Sequence, residues 1–193
     1  MDQTMEKRPL YTIGHGNRKQ EELLALLQQY DIQYLLDVRS APYSKFNPQF
    51  NQNELKHFLQ QHGITYVFMG DTLGGRPEDD SCYTDGKVDY EKIKTRDFFK
   101  TGIERLKTAY SKDIPLAMMC SESKPQECHR SKLIGEYLRD EDIRIVHIDE
   151  NGKEKSQPEV MLIVTKGKST IDLFGEKESF TSRKSYKEDE DED

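Results

Sequence analysis

The sequence predicts an α/β fold: a single domain with a mostly parallel five-stranded sheet flanked by helices. Short apolar runs alternate with longer amphipathic runs from residue 10 to residue 149. Several of the short runs are almost continuously apolar, which is typical of parallel strands buried on both faces. Cap and turn residues separate the two kinds of run, as expected where strands alternate with helices.

Five apolar runs are predicted as strands. They cover residues 10–13, 32–38, 64–69, 114–119 and 144–148. A further apolar run at 159–164 is predicted as an edge strand or as a packed extension of the domain. We therefore place the α/β domain at residues 10–164.

Helices are predicted from cap signals and apolar stripes between the strands. Asn17, with Gln20 three residues later, gives a reciprocal capping signal for the first helix. Asn51 and Glu54 give the same signal for the second, and Gly63 stands where that helix is expected to stop. Apolar stripes predict two further helices, over residues 98–110 and 132–139.

The length and charge of the chain limit its function classes. A length of 193 residues suits one domain with a tail. The net charge is −7, but residues 188–193 are all acidic and account for most of it, so the body offers no global electrostatic case for nucleic-acid binding. Residues 165–193 are predicted to form a flexible, acidic tail. No apolar stretch approaches the ~18 residues of a membrane span, so no membrane partner is predicted.

The cysteine content predicts a cytoplasmic location. The chain has three cysteines, Cys82, Cys120 and Cys128. The first nine residues lack the apolar core of an export signal, and an odd cysteine count without such a signal favours free thiols in a reducing compartment.

Polar and ionisable residues follow every predicted strand at its C-terminal end. Parallel strands bring those ends to one edge of the sheet, where open α/β folds keep their ligand sites. The residues expected there are His15, Asp37, Arg39, Gly74, Gly75, Cys120, Glu122, Cys128, His129, Arg130 and His147. Two plainer interpretations stay open: Asp37 and Arg39 form an ion pair, and His147 is a sheet histidine with satisfied hydrogen bonds.

The loop after the fourth predicted strand carries the densest set of reactive side chains. Cys120 is expected to face a helix N-terminus near Pro125, whose amides, with the neighbouring cations, favour a thiolate. Cys120 is therefore the predicted nucleophile or sulfur carrier. His15 or His129 is predicted to move protons, and Asp37 to orient one of these bases.

The remaining residues of this edge are given binding or secondary roles. Arg39 and Arg130 are predicted to hold a small anionic or phosphate-bearing ligand, because a guanidinium grips such groups bidentately. Gly74, Gly75 and Glu122 are predicted to line the same binding site. Cys128 and His147 are assigned redox or secondary roles, with Cys128 as the redox partner of Cys120.

The motifs resemble those of the domain-of-unknown-function family 488. The resemblance rests on Thr12-Ile-Gly-His15, Leu36-Asp-Val-Arg39, Leu73-Gly-Gly75 and the pair Cys120 and Cys128-His-Arg130, followed by His147. Gly16 stands where that family often has serine. The resemblance covers roughly residues 10–152 and implies a bacterial or archaeal cytoplasmic α/β protein, without assigning a reaction. The sequence is also similar, more loosely, to rhodanese-like domains, which place a cysteine in the loop between a strand and a helix. This second similarity is an analogy of layout and implies no shared activity.

A short peptide in the tail resembles a known docking motif. Thr170-Ile-Asp-Leu-Phe174 is similar to the peptide by which bacterial repair and replication proteins bind the sliding clamp, with Thr170 in place of glutamine. The alternative is that Leu173 and Phe174 pack against the domain.

Three hypotheses for function follow. The first is an enzyme that uses Cys120 on an anionic substrate. The second is a DNA-repair or nucleic-acid maintenance factor with a clamp-binding tail. The third is a metal- or redox-sensing protein that uses Cys120 and Cys128; their spacing is unlike the close pairs of structural zinc sites, and no metal or other cofactor is evident in the sequence.

Overall fold

Strands and helices alternate along the chain in the computed structural model, which describes residues 7–171 and 175–186. The strands are β1 (Leu10–Gly14), β2 (Tyr34–Asp37), β3 (Thr65–Phe68), β4 (Tyr83–Thr84), β5 (Lys87–Asp89), β6 (Leu116–Cys120), β7 (Ile145–Ile148), β8 (Glu154–Ser156) and β9 (Thr181–Ser185). The α-helices are α1 (Gln20–Gln29), α2 (Gln52–Gln61), α3 (Gly70–Leu73), α4 (Tyr90–Lys94), α5 (Asp97–Ser111), α6 (Glu136–Asp140) and α7 (Gln157–Val164). A 3₁₀ turn at Pro125–Glu127 and a π-helical stretch at Arg130–Gly135 lie between β6 and α6.

The main sheet has six strands in the order β3-β2-β6-β1-β7-β8. The five predicted strands are present and mutually parallel, whereas β8 pairs antiparallel with β7. The predicted count of five is therefore corrected to six. The short return strand was missed because its three residues, Glu154, Lys155 and Ser156, carry no apolar signal.

The apolar runs form strands because both faces of the sheet are buried. Leu36 and Met118 point to one core cluster, which α5 and α6 cover. Leu35, Ala117 and Met119 point to the other cluster, which α1 and α2 cover. Successive strand residues alternate between the faces, so a continuous apolar run is needed to fill both cores.

The run at 159–164 is a helix, not the edge strand that was one of its two predicted states. Ser156 caps α7: its hydroxyl accepts from the amide of Glu159, and the Glu159 carboxylate accepts from the Ser156 amide at 2.7 Å. Pro158 lies in the first turn, where a missing N–H costs nothing. This reciprocal cap stabilises the helical conformation of the apolar run, in which Val160 and Met161 are buried.

The start of α1 also differs from the prediction. The helix begins at Gln20, and the carboxylate of Glu22 accepts from the amide of Lys19 at 2.8 Å; Asn17 is not the cap. Arg18 donates to the carbonyl oxygens of Gly14 and Asp149 at 2.6 and 2.9 Å, which holds residues 15–18 in a loop. The loop is fixed by these tertiary contacts, so a local capping rule placed the helix start too early.

A second, three-stranded sheet has the order β4-β5-β9, with antiparallel pairing. β9 lies inside residues 165–193, the range for which the sequence indicated a flexible tail. Phe180 and Ser182 are buried beside β5, and the Ser182 hydroxyl accepts from the amide of Val88 at 3.0 Å. This part of the tail therefore packs against the domain.

Two further observations concern predicted partners. Over residues 7–171 and 175–186, the model contains no helix with the length and apolar character needed to cross a membrane. The predicted clamp-binding peptide includes residues 172–174, which lie outside the described residues, and so that prediction stays a prediction.

Candidate functional site at the C-terminal edge of the sheet

A pocket of about 340 Å³ opens beyond the C-terminal ends of β1, β2 and β6. The sheet register places Gly14 beside Cys120 and Asp37 beside Met119, so the loops that follow these strands start at the same level. The predicted site residues that line the pocket are His15, Arg39, Gly75, Cys120, Glu122, Cys128 and His129. The pocket therefore lies at the edge of the sheet where the sequence predicted a ligand site.

Close backbone packing brings the Cys120 loop to this edge. A methyl group on Gly14 would overlap the carbonyl oxygen of Glu122, so only glycine allows the loop to approach β1 this closely. The amide of His15 donates to the carbonyl of Cys120 at 3.0 Å, and that of Gly16 donates to Ser121 at 2.9 Å. The glycines on either side of His15 thus accommodate a neighbouring loop.

Two thiols and one imidazole converge on the pocket floor. Nδ1 of His129 lies 3.7 Å from Sγ of Cys120 and 3.5 Å from Sγ of Cys128. All three residues are buried, and their three donor atoms lie within 4.8 Å of one another. Glu122 borders this group, with its Oε2 3.2 Å from Sγ of Cys120. We call Cys120, Cys128 and His129 the thiol–imidazole cluster.

The backbone fixes how the His129 ring is presented. Its Nε2 lies 3.2 Å from the carbonyl oxygen of Val38 and 3.0 Å from that of Leu73. A carbonyl accepts but cannot donate, so Nε2 carries the proton, and the lone pair of the neutral ring is on Nδ1, facing the sulfurs. Gly75 packs against the ring: a Cβ there would lie 2.8 Å from Nδ1. The Gly74-Gly75 turn thus has a packing role beside His129.

The surroundings of Cys120 do not favour a lone thiolate, which corrects the sequence prediction. The neighbouring Cys128 thiol, followed by burial, raises the pKa of Cys120 well above its ordinary value. The predicted helix N-terminus is a three-residue 3₁₀ turn, too short to supply an aligned set of amides. The hydrogen bond to Cys120 helps to lower the pKa of Glu122 although burial opposes that change.

An ion pair and a histidine form one side of the pocket. Arg39 grips Asp37 at two points, Nε to Oδ1 at 2.9 Å and Nη2 to Oδ2 at 2.6 Å. Tyr66 donates its hydroxyl to the same carboxylate at 2.7 Å. The remaining terminal nitrogen of Arg39 lies 3.3 Å from Nε2 of His15, whose Nδ1 lies 2.8 Å from the carbonyl of Gly16.

This arrangement keeps His15 neutral. A guanidinium only donates, so Nε2 of His15 accepts and Nδ1 carries the proton. Burial, together with the charge of Arg39, lowers the pKa of His15 to about 4. The ring stacks on Phe50 with centroids 4.5 Å apart, which fixes its plane. Asp37 acts on His15 through Arg39 and does not itself line the pocket.

Several predicted site residues lie away from the pocket. Arg130 is fully buried, donates to the carbonyl of Ser123 at 3.0 Å, and has no described hydrogen-bond partner for Nε and Nη1. His147 is buried between Thr12 and Gln157 within the fold. Gly74 packs against the carbonyl of Gly70. None of these three is among the residues that line the pocket described here.

The tail supplies pocket residues that sequence reasoning missed. Ser182, Arg183, Lys184 and Tyr186 line the same pocket as the thiol–imidazole cluster. Arg183 pairs with Glu127 at 3.3 Å, and the guanidinium of Arg76 lies 4.2 Å from the centre of the Tyr186 ring. Phe180 is the only apolar residue among residues 180–185, so the sequence carries no alternating pattern that would predict a strand here.

The fold and the site define an α/β protein with a cysteine- and histidine-containing pocket at the C-terminal edge of a parallel sheet. A family model described as "Domain of unknown function DUF488" matches residues 19–138, and the chain belongs to this family, which confirms the resemblance found in the sequence. No curated protein and no solved structure matches the chain.

Proposed function

We propose that this protein is an enzyme that binds a small anionic substrate in the pocket and reacts with it at the thiol–imidazole cluster. The observation that carries the proposal is that the cluster lines the same pocket as four basic side chains. Buried cysteines usually behave as small apolar residues, but here two face a common opening beside an oriented imidazole.

The charges of the pocket support an anion as the ligand. Arg39, Arg76, Arg183 and Lys184 line it, against the carboxylates of Glu122 and Glu127. Arg39 is neutralised by Asp37 and Arg183 is paired with Glu127, so Arg76 and Lys184 carry most of the attraction. A phosphate or carboxylate held by these two residues would share the pocket with the cluster.

Titration of orthophosphate and of phosphate monoesters into the purified protein tests this proposal. Calorimetry is expected to show binding that Arg76→Ala or Lys184→Gln weakens about tenfold or more, the effect of losing one charge-assisted hydrogen bond. Lys56→Gln, an exposed lysine on α2, is the matched control for charge. Unchanged affinity in both pocket variants would contradict an anion site in this pocket.

A nucleic-acid ligand is the second candidate, because exposed aromatic rings adjoin the pocket. Tyr43 is 66% exposed and lines the mouth, and Phe46 in the same loop is 94% exposed. Aromatic rings beside cations are the usual platform for unpaired bases. Tyr43→Ala is expected to weaken binding of a short single-stranded oligonucleotide at low salt while leaving orthophosphate binding unchanged. Equal effects on the two ligands would count against stacked bases.

A further inference from the structure

We infer that the thiol–imidazole cluster is a zinc site, with Cys120, Cys128 and His129 as three ligands and a fourth position open to the pocket. This inference deepens the proposed function by naming a cofactor, and it rests on that proposal only for the anion at the fourth position. The geometry of the donor atoms carries it.

The donor separations fit a tetrahedral zinc ion. With Zn–S near 2.3 Å and Zn–N near 2.0 Å, a sulfur and a nitrogen ligand at the tetrahedral angle stand about 3.5 Å apart. The two sulfur–nitrogen distances in the cluster are 3.7 and 3.5 Å. All three donor atoms lie within 4.8 Å of one another, and two zinc-bound sulfurs stand about 3.8 Å apart, so the three side chains are already grouped around one position.

The His129 ring is already held in the orientation that a metal ligand needs. Zinc-bound histidines usually donate their other ring N–H to a carboxylate or a backbone carbonyl, which fixes the tautomer and the ring direction. Nε2 of His129 does this toward the carbonyl oxygens of Val38 and Leu73. The lone pair on Nδ1 is therefore directed at the two sulfurs.

The position of the cluster favours an open site over a closed structural one. Structural zinc sites take four protein ligands, whereas catalytic sites take three and leave one position for water or substrate. Two cysteines and one histidine form a ligand set of the second kind. All three residues line the pocket, so the fourth position faces the space where the anion is proposed to bind.

Metal analysis of the full chain, expressed in zinc-supplemented medium, tests the ligand set. One zinc per chain is expected in the wild type and in Cys82→Ser, because Cys82 is a buried cysteine outside the cluster. Zinc affinity is expected to fall more than about 100-fold in each of Cys120→Ser, Cys128→Ser and His129→Asn. Loss of a residue that only hydrogen-bonds to a metal ligand already lowers affinity roughly 10–100-fold, and loss of the ligand itself is expected to cost more. Circular dichroism checks that each variant is folded.

A wild-type chain that is folded but binds no zinc, either as purified or after reduction and titration with zinc, would overturn the inference. So would a Cys128→Ser variant that keeps wild-type affinity. A second variant avoids changing any ligand: Gly75→Ala places a methyl group 2.8 Å from Nδ1 of His129 and is expected to lower zinc affinity about tenfold. Unaltered affinity in this variant would also count against the cluster as the site.

Cobalt substitution separates this inference from the proposed function. Co²⁺ in the site is expected to show thiolate charge-transfer absorption, which Cys120→Ser reduces and Cys82→Ser leaves intact. Added orthophosphate is expected to shift the ligand-field bands, because it enters the fourth position. Ligand-field bands that do not change when phosphate is added would refute an open fourth coordination position. A wild-type chain that binds phosphate but neither zinc nor cobalt would uphold the anion pocket and overturn the zinc site.

Discussion

His147 is expected to make the protein lose stability in acid, and His147→Gln is expected to remove that loss. Its Nδ1 lies 2.6 Å from the Thr12 hydroxyl, and its Nε2 lies 2.6 Å from Oε1 of Gln157. The Gln157 amide nitrogen donates to the Ser131 carbonyl and to Glu136, which leaves Oε1 as an acceptor toward Nε2. Thr12 then donates to Nδ1, and the buried ring is neutral.

The size of the effect follows from the difference in proton binding. Burial lowers the pKa of His147 from 6.5 to about 3. Between these values the unfolded chain binds a proton that the folded chain does not, so stability is full above the unfolded pKa and falls as the pH decreases. The loss is about 1.4 kcal/mol per pH unit, or roughly 3 kcal/mol two units below the unfolded pKa.

Urea unfolding near pH 7 and near pH 4.5 measures this contribution. Glutamine keeps polar groups for both partners but does not titrate, so the acid loss of His147→Gln is expected to be smaller than that of the wild type by roughly 3 kcal/mol. His57→Gln, at an exposed position on α2, is the control and is expected to follow the wild type. Parallel losses in the wild type and His147→Gln would refute a neutral, buried His147.

Three other substitutions test the fold around the site. Arg39→Lys keeps the charge but loses the two-point grip on Asp37, and is expected to cost about 3 kcal/mol in urea unfolding; a cost below ~1 kcal/mol would contradict a specific pair. Arg130→Met removes a buried cation with two unpartnered donors and is expected to leave stability unchanged or raised; a loss above ~2 kcal/mol would show that the guanidinium is paired. Phe180→Ala is expected to speed hydrogen exchange of the Tyr90 amide, which donates to the Phe180 carbonyl, about 100-fold; protection equal to wild type would show that Phe180 does not anchor β9.

The five parallel strands of the main sheet could be predicted because each strand is marked by its own residues. Each parallel strand must fill two cores, and that requirement appears as an apolar run such as residues 32–38. The clustering of polar residues at one edge of the sheet could also be predicted, because parallel strands have their C-terminal ends at the same edge. His15, Arg39 and Cys120 accordingly line one pocket.

The parts that could not be predicted depend on contacts between distant residues. β9 is polar, and it forms a strand because its backbone pairs with β5 and the preceding Phe180 is buried in the domain. The protonation of Cys120 depends on the Cys128 thiol eight residues away, whose side-chain position no spacing rule gives. Arg130 looked suited to an anion, yet the chain turns its guanidinium toward Ser123.

The pocket is assembled from two parts of the chain with different relations to the family. The thiol–imidazole cluster and Arg39 belong to the segment that matches the family model, whereas Arg183, Lys184 and Tyr186 come from β9 and the residue after it. A chain that kept the first part and exchanged the last strand would keep the thiol–imidazole cluster and change part of the pocket lining. Exchange of the segment after α7 would therefore alter the charge and shape of the pocket without changing the two thiols and the imidazole.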